Sequence, residues 1–155
     1  MAKIAVLGGG SWGIALAVLL HKNGHEITVW SALEKEIEML DKEREHKMLP
    51  GVKMADDMKF TTDEKEAVTD KDMLVMAVAS SYTRATARRF KDLIAPGQII
   101  VNVAKGIEED TVMTLTEIIE QEIPQCQVAV LSGPSHAEEV VKKLTNELMM
   151  LTCII

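Results

Sequence analysis

Short apolar runs and amphipathic stretches alternate along the chain from its first residues onward. The runs at 3–7 (KIAVL), 26–30 (EITVW) and 98–103 (QIIVNV) end at Gly, Ser or Ala, which is typical of short buried strands. The stretches between them place apolar residues at helical spacing and charged residues on the opposite face. This alternation predicts an α/β protein in which a helix follows each strand.

Turn residues and breaks in the periodicity give bounds to the predicted elements. Strands are predicted at residues 3–7, 26–30, 58–61, 72–79, 98–103 and 127–131, with a last apolar run at 147–155. Helices are predicted at residues 11–23, 32–47, 63–68, 82–93, 111–122 and 135–144. The order specifies a doubly wound, mostly parallel sheet with helices on both faces, because crossovers between parallel strands are right-handed. A length of 155 residues is expected to form one domain, 1–155.

Composition narrows the class of protein. The net charge of −7 argues against a nucleic-acid binder, which usually carries a basic face. No apolar run approaches the roughly 18 residues of a membrane span, and the start has no signal-peptide pattern. Cys126 and Cys153 have no metal-ligand spacing, so we expect no metal site and two reduced thiols in a cytoplasmic protein.

The residues GGGSWG at 8–13 match the pattern GxGxxG between a predicted strand and a predicted helix. Gly8 permits a tight turn out of the strand, and Gly10 lets the backbone approach a pyrophosphate. Gly13 allows the helix to pack closely on the sheet. The alternative is an ordinary tight connection, but the position favours a Rossmann-type dinucleotide site in which the helix N-terminus holds the phosphates.

The identity of the dinucleotide stays open at this point. Ser11 can add a hydroxyl donor to the phosphate, and Trp12 either packs beside the cofactor or covers the sheet edge. An acid for NAD, or an arginine for NADP, normally follows about twenty residues after the glycines. Here Ser31 is the candidate for a ribose hydroxyl or a 2′-phosphate, whereas Glu34 and Lys35 lie one turn into the helix. NAD and NADP are both compatible with this segment.

Two later strand ends face the same crevice, because ligands of open α/β sheets bind at the carboxyl ends of the strands. Ser80 and Ser81 either cap a helix or allow close approach to the cofactor, and Tyr82 is placed to pack on the nicotinamide. Lys105 precedes a glycine at the next strand end, where it either meets an anionic or carbonyl oxygen or lies solvated in a turn.

A third strand end carries a glycine turn followed by a predicted helix. Gly133 lies in this turn, and Ser135 is placed to cap the helix with Glu138 completing a capping box. The same helix N-terminus is suited to an anion. His136 has the chemistry of a general base, but a single histidine at a helix start is more often a surface residue, so we do not expect it to be catalytic.

Three co-linear motifs together resemble the NAD(P)-dependent glycerol-3-phosphate dehydrogenases of bacterial type. They are GGGSWGIALA at 8–17, NVAKGIE at 102–108 and LSGPSHAEEV at 131–140, and LPG at 49–51 also agrees. The resemblance covers essentially the whole chain. The chain departs from the family at Ala79, where proline is common, at Ser31 and Ala32, where a basic residue is common, and at Met48, where an aromatic is common.

The resemblance implies an enzyme that interconverts dihydroxyacetone phosphate and sn-glycerol 3-phosphate by hydride transfer with NAD or NADP, which supplies the phospholipid backbone in bacteria. Positions matching cofactor contacts in the family are Ser11, Trp12, Lys105 and Ala137. Positions matching contacts to this small phosphorylated substrate are Lys105, Gly133 and Ser135.

The family's members are roughly twice as long and carry an all-helical C-terminal domain with the proton-transferring lysine. We therefore expect this chain to be a fragment that binds cofactor, contains no catalytic residue for proton transfer and has little or no turnover alone. An exposed docking face is expected to favour a homodimer. The alternatives are another two-domain dehydrogenase, of the 6-phosphogluconate or 3-hydroxyacid type, and a free-standing NAD(P)-binding module or sensor without turnover.

Overall fold

The computed structural model describes residues 1–133, 136–142 and 150–152. The strands are β1 (Lys3–Leu7), β2 (Glu26–Trp30), β3 (Lys59–Thr61), β4 (Met73–Met76), β5 (Ile99–Asn102), β6 (Gln127–Ser132) and β7 (Met150–Thr152). The helices are α1 (Ser11–Lys22), α2 (Glu34–Glu43), α3 (Glu64–Val68), α4 (Ser80–Phe90), α5 (Leu115–Glu122) and α6 (Ala137–Lys142). The predicted alternation of strand and helix is confirmed.

The strands form one sheet in the order β3-β2-β1-β4-β5-β6-β7. All neighbours pair in parallel except β6 and β7, which are antiparallel. The first six follow the order 3-2-1-4-5-6 of a Rossmann fold, in which the strand order, but not the strand direction, reverses between β1 and β4. The predicted fold class is therefore confirmed, and the reversal point lies at the end of β1, where the glycine turn begins.

Successive apolar side chains of β1 point to opposite faces of the sheet and pack into two separate cores, one on each face. Val6 packs on the face covered by α1, α2 and α6, whereas Leu7 packs on the face covered by α3, α4 and α5. The second core holds an edge-to-face pair between Trp30 and Phe90, with ring centroids 4.8 Å apart. Burial of β1 on both faces fixes its carboxyl end, and with it the position of the glycine turn.

Helix α2 ends earlier than the sequence pattern predicts. The prediction of a helix at 32–47 is wrong at its C-terminus, because Arg44 adopts a left-handed conformation with φ of 50°. The Arg44 guanidinium donates to the carbonyl oxygens of Ala55 at 3.1 Å and Met58 at 2.8 Å. These bonds tie the following segment back against the helix end, which the apolar spacing alone did not indicate.

The connection from β4 to α4 also differs from the prediction. The strand ends at Met76 rather than at 79, and the helix begins at Ser80 rather than at 82. Ala79 is the N-cap and makes no side-chain cap bond, so neither Ser80 nor Ser81 caps this helix. A cap needs only an extended backbone, which Ala79 adopts with φ of −61° and ψ of 150°.

Two further helices begin later than predicted. Helix α5 starts at Leu115 because Thr114 is its N-cap in a capping box with Glu117, whereas residues from 111 lie in the preceding turn. Helix α6 starts at Ala137 rather than at 135. The described residues do not include the predicted cap Ser135, residues 143–149 or residues 153–155, the last of which contain Cys153. No helix of the described ranges is long and apolar enough to cross a membrane.

Candidate functional site

The glycine turn packs too closely for side chains at two positions. Gly8 has a φ of +130°, and a Cβ there would lie 2.8 Å from the carbonyl oxygen of Ala77. A Cβ on Gly13 would lie 2.1 Å from the carbonyl oxygen of Gly8. These distances confirm the packing expected of the first and last glycines, because a Cβ at either position would force β1, β4 or α1 to move.

Gly10 is required for a different reason. It is the N-cap of α1, with φ of −67°, and a Cβ built on it would meet nothing within 4 Å. The first backbone N–H groups of α1 have no carbonyl partner inside the helix, and the positive end of the helix dipole adds to their charge. The open space over Gly10 therefore leaves room for an anion to reach these donors.

Two clefts open on either side of Gly10. The β2 cleft has a volume of about 410 Å³ and lies between the end of β2 and α4, which lines it from Tyr82 to Arg89. The β5 cleft has a volume of about 480 Å³ and lies between the first turn of α1 and the end of β5. Both are lined by Gly10 and by residues 77–79, so they form one groove across the glycine turn. A groove of this shape suits an elongated ligand with a central anionic group.

The β2 cleft contains a carboxylate that the sequence reasoning missed. The hydroxyl of Ser31 donates to Glu36 Oε2 at 2.5 Å, and the backbone N–H of Leu33 donates to Ser31 Oγ at 3.2 Å. A Cβ on Gly9 would lie 2.7 Å from Glu36 Oε2. The carboxylate of Glu36 therefore lies directly over the glycine turn, at the side of the groove formed by β2.

Helix geometry explains how Glu36 reaches this position. Side chains tilt toward the N-terminus of a helix, so a long residue in the first turn of α2 covers the strand end before it. Glu36 also lies at the spacing of about twenty residues at which an acid is expected after the glycines. Its spacing from the glycines could have identified Glu36 from the sequence, although Glu34 and Lys35 lie closer to the end of β2. Ser31, the predicted contact, is buried and holds Glu36.

The opposite wall of the β2 cleft comes from α4. Tyr82 is exposed over 64% of its surface and lines this cleft. Lys105 lies in the β5 cleft on the other side of Gly10, and the packing of Tyr82 on a nicotinamide stays a prediction. Arg89 also lines the β2 cleft, where its guanidinium lies 5.2 Å from the ring centroid of Trp30 and pairs with Glu64.

The β5 cleft brings together side chains that are distant in the sequence. The described residues that line it include His136 and six of the predicted cofactor positions, which are Gly10, Ser11, Trp12, Ser80, Lys105 and Ala137. The indole N–H of Trp12 donates to the carbonyl oxygen of Val103 at 3.0 Å. The ammonium of Lys105 lies 5.5 Å from the centre of the Trp12 ring, within range of a cation–π contact. Trp12 therefore joins α1 to the end of β5 and positions the lysine.

The turn that carries Lys105 is fixed at both ends. The side-chain oxygen of Asn102 accepts from the backbone N–H of Ala104 at 3.1 Å. Arg84 forms a bidentate pair with Glu108, in which both N···O distances are 2.7 Å. The arginine lowers the pKa of the Glu108 carboxyl to about 2, and a hydrogen bond from Thr111 adds to this effect. The sequence motif included Glu108 but gave no sign of Arg84 as its partner.

The remaining predicted positions lie at the end of β6. Gly133 directly follows the strand, His136 is exposed, and Ser135 lies outside the described residues. Within the described ranges, no three His, Cys, Asp or Glu side chains are placed to hold a metal ion. The first turn of α1 adds backbone N–H donors to the groove, and the acidic, basic and histidine side chains among the described residues that line it are those of Glu36, Arg89, Lys105 and His136.

Comparison with known proteins gives one consistent result. A family profile described as the N-terminus of NAD-dependent glycerol-3-phosphate dehydrogenase matches residues 3–152. Glycerol-3-phosphate dehydrogenase (NAD(P)+) of Fusobacterium nucleatum is 53% identical over 158 residues, which cover 100% of this chain and 46% of that protein. The Bacillus subtilis protein of the same name is 43% identical over 144 residues, which cover 90% of this chain and 42% of that protein.

The structural comparison agrees with the sequence comparison. The crystal structure of glycerol-3-phosphate dehydrogenase from Coxiella burnetii matches with a TM-score of 0.87 and 30% identity, covering 95% of this chain and 45% of that one. A UDP-D-ManNAc dehydrogenase from Pyrococcus horikoshii, at 16% identity and a TM-score of 0.74, shares the fold alone. The chain spans less than half the length of these relatives.

Proposed function

Because this chain belongs to the NAD-dependent glycerol-3-phosphate dehydrogenases, we propose that it binds NAD or NADP for the interconversion of dihydroxyacetone phosphate and sn-glycerol 3-phosphate. The observation that carries the proposal is the continuous groove over Gly10, with open space at the N-terminus of α1 and a cleft on each side. In the proposed complex the helix N-terminus holds the pyrophosphate, and the two clefts take the two nucleoside halves.

The residues of the groove fit a dinucleotide. Gly10 offers no Cβ at the point of closest approach, and the first turn of α1, which includes Ser11, supplies donors. The bound nicotinamide supplies the hydride donor or acceptor, and the protein's part is to bind and orient it. Trp12 and Ala137 line the β5 cleft, where we place the nicotinamide half, and Glu36 and Ser31 line the β2 cleft, where we place the adenosine half.

Lys105 is the residue to which we assign contact with substrate. Its exposed ammonium lies in the β5 cleft beside Trp12, on a turn fixed by Asn102 and Glu108. A fixed positive charge there attracts a phosphorylated three-carbon substrate and polarises its carbonyl or alcohol oxygen. Gly133 and Ser135 are proposed to complete the substrate contacts, as the family resemblance implies.

Proton transfer to the substrate oxygen needs a further group. None of the side chains in the groove is assigned that role, and Lys105 acts here as a fixed charge. We propose that residues 1–155 form one cofactor domain, and that turnover requires an all-helical domain with a proton-transferring lysine. The length of the relatives beyond the matched region supports this division.

The test is a calorimetric titration of the chain with NADH and with NADPH, paired with an assay for reduction of dihydroxyacetone phosphate. We expect at least one cofactor to bind, with little or no turnover. Gly10→Ala is expected to weaken binding about tenfold or more, because its Cβ enters the space needed by the phosphate. The melting temperature is the control, since this Cβ meets no protein atom within 4 Å.

Each result separates the possible functions. Failure of both cofactors to bind a chain with a normal melting transition would overturn the proposal. Turnover by the chain alone would place the proton-transferring group within these 155 residues and contradict the proposed second domain. Tight binding in a full-length protein that never turns over would favour a free-standing sensor module instead.

Two further properties are proposed, a homodimer and a cytoplasmic location. Exposed apolar side chains, including Leu33, Met48 and Val112, support a homodimer, which light scattering would test. Burial raises the pKa of the Cys126 thiol to about 11, which agrees with a reduced cysteine in a cytoplasmic protein. Cell fractionation would test the compartment directly.

A further inference from the structure

We propose that Glu36 is the residue that selects NAD(H) over NADP(H) in the β2 cleft. The inference rests on the proposed binding of a dinucleotide, and it concerns the choice between the two cofactors, which the motifs leave open. The two differ only by a phosphate on the 2′-oxygen of the adenosine ribose. The group that meets this oxygen therefore decides the preference.

The position of Glu36 is the first argument. Its Oε2 lies 2.7 Å from the point where a Cβ of Gly9 would stand, next to Gly10 at the centre of the groove. The ribose adjoining the pyrophosphate must pass this point if it is to enter the β2 cleft. A carboxylate here meets the ribose hydroxyls of whichever cofactor is bound.

The carboxylate is held in place before any ligand arrives. Ser31 is only 5% exposed, and its hydroxyl donates to Glu36 while accepting from the N–H of Leu33. The backbone N–H of Glu36 donates to the carbonyl oxygen of Leu33 at 3.0 Å. Ser31 is therefore a positioning residue, since it acts on the cofactor through the orientation of Glu36.

The chemistry of a carboxylate separates the two cofactors. An ionised carboxylate has about four acceptor positions, and Ser31 uses one of them. The remaining positions accept hydrogen bonds from ribose hydroxyl groups, which only NAD(H) presents at the 2′-carbon. A 2′-phosphate has no hydroxyl there and brings negative charge against negative charge, so the same carboxylate repels NADP(H).

The surrounding positive charge does not reverse this preference. The strand-end residues Ser31, Ala32 and Leu33 carry no basic side chain. Among the described residues that line the β2 cleft, Arg89 is the one basic side chain. Its guanidinium lies over the ring of Trp30 and pairs with the carboxylate of Glu64, so its charge is already balanced.

Calorimetry on the chain and on Glu36→Gln tests the inference. NADH and NADPH are compared as whole cofactors, and 5′-AMP and 2′,5′-ADP serve as probes of the adenosine half alone. We expect the wild-type chain to prefer NADH by about tenfold or more, and Glu36→Gln to lower that ratio by about tenfold. The preference of the wild-type chain should also shrink as salt screens the repulsion.

The matched control is Glu38→Gln. Glu38 is exposed on the same helix, and its substitution removes the same charge without touching the cleft, so the ratio should stay unchanged. Glu36→Asp keeps the charge but shortens the side chain, and we expect weaker NADH binding with NADPH still disfavoured. Ser31→Ala should lower the NADH preference, and Ser31→Thr should restore it, because only the threonine keeps the hydroxyl that orients Glu36.

The outcomes separate this inference from the proposed function. Equal affinity for both cofactors, a preference for NADPH, or an unchanged ratio in Glu36→Gln would overturn the role of Glu36 while leaving cofactor binding intact. A preference for NADPH that is lost in Arg89→Met would assign the selection to Arg89. Failure of the wild-type chain to bind either cofactor would remove both proposals together.

Discussion

The β2 cleft and the β5 cleft lie on either side of the same glycine turn but are built in different ways. The chemistry of the β2 cleft comes from neighbours in sequence, because Ser31 and Glu36 are five residues apart and Trp30 beside them is buried. The β5 cleft depends on long-range contacts, such as the bond between Trp12 and Val103 across 91 residues. Local structure fixes the carboxylate of the first cleft, whereas Lys105 in the second cleft needs several distant segments in place.

This difference determines what a substitution can damage. A change at Glu36 in the β2 cleft alters one carboxylate on a fixed support, so it should change the affinity for the cofactor and leave the stability of the fold unchanged. A change in the β5 cleft loosens a turn whose lysine is exposed and whose partners belong to α1 and α4. Substitutions at three places test this contrast, and the largest effect is expected where both clefts share their support.

Gly13→Ala is expected to destroy both clefts. Its Cβ would lie 2.1 Å from the carbonyl oxygen of Gly8, so α1 must move away from β1. We expect a loss of stability of about 1–3 kcal/mol or more, measured by urea unfolding. Gly10→Ala in the same turn is the control, because open space surrounds its Cβ and its stability should change by less than about 0.5 kcal/mol. Equal stability of the two variants would contradict this packing.

Glu108→Gln is expected to loosen the β5 cleft alone. The folded-state pKa of Glu108, about 2, lies below its ordinary value, so its pairing with Arg84 stabilises the turn above about pH 4.5. That contribution is lost as pH falls from about 4.5 toward 2. Hydrogen exchange of residues 103–114 should therefore be slow at pH 7 in the wild-type chain, and faster in Glu108→Gln.

The exposed neighbour gives the control for this prediction. Glu109→Gln removes the same charge from a residue without that pair, and its exchange should match the wild-type chain. Residues 30–36 of the β2 cleft should be unaffected by either substitution. Faster exchange spreading into that segment would show that the two clefts are not independent.

The smallest expected effect is a pH dependence of the free energy of unfolding that arises from His46, near the β2 cleft. Burial lowers the pKa of His46, and the charge of Glu36 opposes this shift only in part. The unfolded chain therefore binds the proton more readily, so the free energy of unfolding should fall as pH drops below about 6.5 and level off once the folded-state pKa is passed. Urea midpoints between pH 5 and 8 measure this, and His46→Gln should flatten the dependence. His136→Gln, at an exposed site, should leave it unchanged.

The sequence predicted those parts of the fold and site that local rules determine. The alternation of strands and helices, the doubly wound parallel sheet and the packing roles of Gly8 and Gly13 follow from periodicity and backbone sterics. The end of α2 and the start of α5 differ from their predicted positions because Arg44 and Thr114 form hydrogen bonds there that apolar spacing does not reveal. The helix start at Ser80 was missed because the extended backbone of Ala79 precedes it without any side-chain cap bond.

The site residues that the sequence missed act through side-chain direction or distant pairing. Glu36 lies one residue beyond the pair considered for the ribose, and only the tilt of the first helical turn brings it over Gly9. Arg84 is separated from Glu108 by 24 residues, and nothing in either motif indicates the pairing. Tyr82 lies on α4 in the lining of the β2 cleft, and its packing on a nicotinamide stays a prediction.

The chain has two tryptophans, and the fold places one beside each cleft. Trp12 lies under Lys105 in the β5 cleft, and Trp30 lies in the wall of the β2 cleft. Each indole is therefore an intrinsic optical reporter for one end of the groove. Replacing Trp12 or Trp30 singly with Phe leaves one indole, so rapid-mixing fluorescence excited at the indole band can time the arrival of each half of a ligand and give the order in which the groove fills.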